Sequence, residues 1–206
     1  MKIEFKNIPI YYINPDKYVE RRDRMEDFLP TITCSHERIS SNDDNSLVCV
    51  RINKGLNKAC KRGMEIDVYP FIILEDDATL IEELPEFINI PKEGMFIYLG
   101  ASKYECGGLK PSMWLEEHNE EYYRIKHSLG THAILILNKE SALHYIEVND
   151  KASEKNDYSD IYFAIDSGKE LYMTPKDGPY FYQNDGHNEY ITKFLWENVL
   201  DKYLVK

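Results

Sequence analysis

Phe71-Ile72-Ile73-Leu74-Glu75-Asp76-Asp77 is an apolar run that stops abruptly at three consecutive acids. Four apolar residues, two of them β-branched, with Pro70 at their entry, read as a strand covered on both faces. In open α/β sheets ligands bind beyond the carboxyl ends of such strands, which projects Glu75, Asp76 and Asp77 into one crevice. Adjacent carboxylates repel strongly in a low-dielectric cleft, and a hard divalent cation, Mg2+ or Mn2+, is the usual way to keep them charged. The competing reading is a solvated acidic turn that opens a helix at Glu82-Glu83. The buried-strand pattern before the acids favours the ligand site.

Outward from this stretch, the chain alternates strand and helix signals. Ile8 to Ile13 reads as a first strand, Asn14-Pro15-Asp16 as a turn, and Tyr18 to Leu29 as a charged amphipathic helix closed by Pro30. Thr31 to Ile39 reads as a second strand, followed by the polar loop 40–45. Val48, Ile52, Leu56 and Ala59 recur at helical spacing, with Lys61 and Arg62 in the last turn and Gly63 as the expected stop. After the acids, Met95 to Leu99 is a further buried strand ending in Gly100-Ala101-Ser102, small residues that admit close backbone approach to a ligand. Lys103 to Glu120 reads as an irregular loop. Tyr122 to Ile125 and His132 to Leu137 read as strands, and Lys139 to Ile146 and Tyr158 to Ile165 as helices. Leu171 to Met173 and Tyr180 to Tyr182 follow as short strands, and Tyr190 to Leu204 as a terminal amphipathic helix. No repeat, low-complexity tract or linker interrupts the succession, so the expectation is a single α/β domain spanning the 206 residues.

A formal charge of −11 with no basic stripe argues against nucleic acid as a partner, because phosphate backbones are held by clustered Lys and Arg. The four cysteines have no CxxC or other tight metal spacing, which fits reduced thiols in a cytoplasmic protein. The first residues lack the apolar core of a signal peptide. No stretch approaches the ~20 apolar residues of a membrane span, so no integral membrane segment is expected.

In its order of parts the chain resembles nucleotide-sugar glycosyltransferases of the GT-A type, most closely the lipooligosaccharide and procollagen galactosyltransferase family. The residues that carry the resemblance are Tyr12-Ile13-Asn14, Glu20-Arg21-Arg22-Asp23-Arg24-Met25, Ile72 to Ala78 with its Glu-Asp-Asp, Leu99-Gly100, Gly130-Thr131-His132-Ala133, Asp160, and Gln183-Asn184-Asp185-Gly186-His187. Pro15 stands where that family usually has Leu.

The resemblance implies a Rossmann-like GT-A fold, a mixed central sheet flanked by helices. It also implies transfer of a sugar, from a UDP-sugar in the first instance, to a glycan or glycoprotein acceptor. Under it Asp77 is the direct ligand of Mn2+ or Mg2+, Asp76 contacts the metal or the donor ribose, and His187 completes the coordination. Asn14, Ala101 and Ser102 line the donor pocket, and Arg21 or Arg22 meets the nucleotide, although a helix this charged also forms ordinary surface pairs. Asp160 is the candidate general base, with Asp157 as neighbouring alternative; a carboxylate at a helix start equally serves as a cap. Two other classes remain: a metal-dependent phosphoryl or nucleotidyl transferase, and a nucleotide- or carbohydrate-binding module without catalysis. No Walker-type GxxxxGK[ST] and no Asp-x-Asp nucleophile pair supports the first of these.

Overall fold

The computed structural model describes residues 1–41, 46–81, 83–100, 113–128 and 130–183. In chain order its elements are β1 (Lys2–Glu4), β2 (Ile10–Asn14), α1 (Val19–Phe28), β3 (His36–Ser40), α2 (Val48–Ile66), β4 (Phe71–Glu75), β5 (Ala78–Leu80), β6 (Phe87–Asn89), β7 (Phe96–Tyr98), β8 (Met113–Glu117), β9 (Tyr122–Ser128), β10 (Ala133–Ile136), α3 (Lys139–Glu154), α4 (Ser159–Asp166), β11 (Tyr172–Pro175) and β12 (Phe181–Gln183). Eight strands form one mixed sheet in the order β3-β2-β4-β10-β7-β11-β9-β8, and β1-β6 and β5-β12 form two short ribbons. β2 runs parallel to both β3 and β4, whereas β10 is antiparallel to β4 and β7. The carboxyl ends of β2, β3, β4 and β7 therefore share one edge with the start of β10.

Strand alternation divides the core between the two faces of this sheet. Tyr11, Ile13, Phe71 and Ile73 pack with Leu56, Ala59 and Cys60 of α2, Ala142, Tyr145 and Val148 of α3, and Phe163 of α4. Ile10, Tyr12, Ile72 and Leu74 face the other way, against Met25 of α1, Leu29, and the ribbon residues Ile88 and Phe181. β2 and β4 are apolar at nearly every position because both their faces are covered.

Several elements depart from their sequence signals for local reasons. Gly63 does not stop α2. The helix continues to Ile66, and Asp67, at φ 55°, caps it by donating its N–H to the carbonyls of Gly63 and Met64. Gly63 is instead a packing glycine, since a Cβ there would lie 2.6 Å from the Phe71 ring. α3 runs two turns beyond its expected end, because Val148 and Ala152 keep the buried stripe going among polar neighbours. The stretch read as an irregular loop contains β8, paired antiparallel to β9, with a shift in register between Trp114 and Leu115. No helix opens at Glu83; the chain passes from β5 to the strand at Phe87–Asn89. The expected helix from Tyr190 to Leu204 lies outside the described residues. Among the described residues no helix is long and apolar enough to cross a membrane.

Candidate functional site

β2 and β4 are parallel neighbours with Ile13 opposite Glu75, so Asn14 and Asp76 leave the sheet side by side. Both continue the parity of Tyr12 and Leu74 and turn to the α1 face. Asn14 is fully buried, and its Nδ2 donates to Asp76 Oδ2 at 2.6 Å and to the Tyr18 carbonyl at 3.1 Å. Asp76 and Asp77 form the two-residue turn between β4 and β5 and are buried as well. From α1, Arg21 Nη1 reaches Asp76 Oδ1 at 3.1 Å and Asp77 Oδ2 at 3.5 Å. Its guanidinium also lies over the Tyr18 ring, 5.1 Å from the centroid.

The two arginines left open by the sequence are separated by helical phase. Arg21 points into the crevice, whereas Arg22 pairs with Asp23 on the outside. One turn on from Arg21, Arg24 donates to the Asp76 carbonyl and reaches Thr79 Oγ1 at 3.4 Å, pinning the turn from its backbone side. Arg38 enters from β3, where it stands opposite Tyr12 on the α1 face. Its Nε donates to Asn14 Oδ1 at 2.9 Å and its Nη2 to the Asn14 carbonyl at 3.2 Å. It also pairs with Asp16, which accepts a further bond from Ser40 Oγ at 2.9 Å.

Glu75 continues the parity of Ile73 and belongs to the opposite face, with α2, α3 and α4. Burial pushes its carboxyl well above the usual range, and the negative charges of Asp77, Asp76 and Asp160 push it the same way. Asp160 lies in the first turn of α4. Burial raises its pKa too, while the N–H groups of Ile161, at 2.8 Å, and Gly130 donate to the carboxylate and oppose the rise. Gly130 adopts φ +93°, a conformation that favours glycine, just before Thr131 and His132. At the end of β7, Gly100 makes room for His132: a Cβ on Gly100 would lie 2.3 Å from the imidazole Nε2.

The edge thus brings Asn14, Arg21, Asp76 and Asp77 into direct contact and places Asp160 within electrostatic reach of Glu75. Asp157, the alternative to Asp160, accepts from Asn53 Nδ2 at its carbonyl at 2.9 Å and from the Tyr158 N–H at its carboxylate, and its negative charge adds to the rise of Asp160. Ala101, Ser102 and His187 lie outside the described residues. Arg24, which stands in the Glu20 to Met25 stretch one helical turn from Arg21, and Arg38, which the sequence does not distinguish from a surface arginine, join the cluster through Asp76 and Asn14. Among the described residues no group of three or more His, Cys, Asp or Glu side chains is arranged to hold a metal ion. No protein-family model and no curated protein matches the chain.

Proposed function

We propose that the chain is a metal-dependent glycosyltransferase of the GT-A type, moving a sugar from a nucleoside-diphosphate sugar, UDP-sugars first, to a glycan or protein-linked acceptor. The observation that carries this reading is the meeting of Asn14, Arg21, Asp76 and Asp77 at the carboxyl edge of two parallel strands, with Asp160 beside Glu75 across the same strand end.

The donor set suits a divalent cation. Asp76 and Asp77 supply hard carboxylate oxygens side by side at the turn after β4, and both are held in place by Arg21. Mg2+ and Mn2+ at nucleotide sites take only one or two carboxylates, with phosphates and waters completing the octahedron, so three protein ligands are not required. Asp77 is the residue to hold the ion. Asp76 has one oxygen on Asn14 and the other on Arg21, which orients its carboxylate and suits it to a supporting contact. When bound, the ion supplies Lewis-acid stabilisation of the charge left on the diphosphate.

The remaining steps belong to the chain's own side chains. The Arg21 guanidinium, held by Asp76 and Asp77 yet partly exposed, faces the crevice where phosphate oxygens would lie. Asp160 takes the proton of the acceptor hydroxyl, and its raised pKa makes it a stronger base than an exposed carboxylate. Calorimetric titration with UDP-sugars and GDP-sugars, with and without Mn2+, tests the reading. Donor binding that requires the metal is expected, and absence of binding by every nucleotide sugar in the presence of Mn2+ overturns it.

A further inference from the structure

The geometry points to Arg38 as a positioning residue: from the neighbouring strand β3 it locks the Asn14 carboxamide and, through it, the Asp76 carboxylate. The value of this for donor binding rests on the transferase reading above; the hydrogen-bond relay itself does not.

Each bond in the relay has a forced direction. Arginine has only donors, so the oxygen of the Asn14 amide must face Arg38, and an ionised Asp76 has only acceptors, so the NH2 must face Asp76. The second NH2 hydrogen goes to the Tyr18 carbonyl, which leaves the fully buried amide with every polar atom paired. Arg38 holds Asn14 by both of its oxygens, Oδ1 at 2.9 Å and the main-chain carbonyl at 3.2 Å, and so fixes the amide plane relative to β3. Asp16, itself bonded to Ser40 Oγ, anchors the guanidinium from the other side. The Asp76 carboxylate is then clamped between a fixed donor, Asn14 at 2.6 Å, and Arg21 at 3.1 Å. Without Arg38 the buried Oδ1 has lost its partner, and the amide must tilt toward water to regain one. That tilt lengthens the bond to Asp76 and frees the carboxylate beside Asp77.

Outer contacts that orient metal-binding carboxylates are typically worth about 10–100-fold in affinity. Arg38→Met should therefore weaken Mn2+-dependent UDP binding by about that factor. Asn14→Ala should do the same, and the double variant should be no weaker than Asn14→Ala alone, because both act through one path. Additive losses, or an unchanged affinity in Arg38→Met, overturn the proposal. The second readout needs no nucleotide: the side-chain NH2 of Asn14, followed by 15N NMR, should exchange slowly with solvent in the native protein and faster in Arg38→Met. An unmoved Asn14 resonance with unaltered exchange overturns the relay whatever the nucleotide titration shows. If wild-type protein binds no UDP with Mn2+, the amide signal alone decides on Arg38, and the transferase reading falls only when GDP-sugars fail to bind as well. Should Arg38→Met fail to fold, Arg38→Lys replaces it, since one ammonium keeps the charge near Asp16 but lacks the planar fork that spans two oxygens.

Discussion

Glu75 and Asp76 are chain neighbours that the strand pleat sends to opposite faces, and this division decides their chemistry. Asp76 meets donors from Asn14 and Arg21, whereas Glu75 meets burial and other carboxylates. Glu75 in the folded chain keeps a proton that the unfolded chain has released. Its contribution to stability is complete below the unfolded value, about 4.3, and is lost as pH rises through the higher folded value. Glu75→Gln removes that loss, so denaturant unfolding should find the variant level with wild type near pH 4 and progressively more stable than wild type toward neutral pH. A difference that stays flat with pH would show that Glu75 is not held protonated by its surroundings. Across the pleat, Asp77→Asn should abolish Mn2+-dependent donor binding in calorimetry, and wild-type affinity in that variant would remove Asp77 from the site. Asp160→Asn should bind donor as wild type does and lose sugar transfer; retained turnover would free Asp160 of the base role. Much of this constellation is legible in the residue order, because Asn14, Arg21, Asp76, Asp77 and Asp160 all follow strand ends or open helices. Arg38 is not, because a lone arginine in a half-exposed strand reads as surface until β3 is known to lie beside β2.

At the scale of elements, the strands and helices that read most directly are those whose apolar residues touch the sheet: β2, β4, β7, β10 and α2 have signals that contact alone explains. β8 hides because Leu115 is buried between an exposed Trp114 and two acids, too short an apolar signal to read as a strand. The end of α3 hides because its last two turns bury only Val148, Asn149 and Ala152. Its start is plain, since Asn138 at the cap accepts from the Ser141 N–H at 2.9 Å. Asn138→Ala should therefore cost about 1 kcal/mol in denaturant unfolding, and Asn138→Asp should restore most of it. Gly63 shows how a helix-stop signal can be a packing signal. Alanine there gains up to about 1 kcal/mol of helix propensity but meets the Phe71 ring, and overpacking typically costs about 1–3 kcal/mol. That ring is buried edge-on against Tyr11, with centroids 5.6 Å apart, and has little room to yield. Gly63→Ala should lower the melting temperature, and a higher one would mean that α2 and β4 are less closely apposed than described.

For the whole molecule, the two-faced burial of the sheet means that no helix on the α2–α4 side can lift without opening the main cluster. Cys60 reports on that cluster from its centre. It is fully buried on α2, its thiol donates to the Ala142 carbonyl of α3 at 3.4 Å, and burial pushes its pKa up to about 12. The thiolate is the reactive form, so Cys60 should be inert toward a disulfide reagent for as long as α2 and α3 stay packed. Cys34 is exposed just before β3 and serves as the internal control. In native buffer, peptide mapping should find Cys34 modified first and Cys60 only at the rate of opening. Low urea should accelerate Cys60 in proportion to the loss of global stability while leaving Cys34 nearly unchanged, because exposing Cys60 requires separating α2 from α3 and hence from the sheet. If Cys60 reacts as fast as Cys34 without denaturant, the helical layer opens on its own, and the platform that carries Glu75 and Asp160 is not the rigid one described.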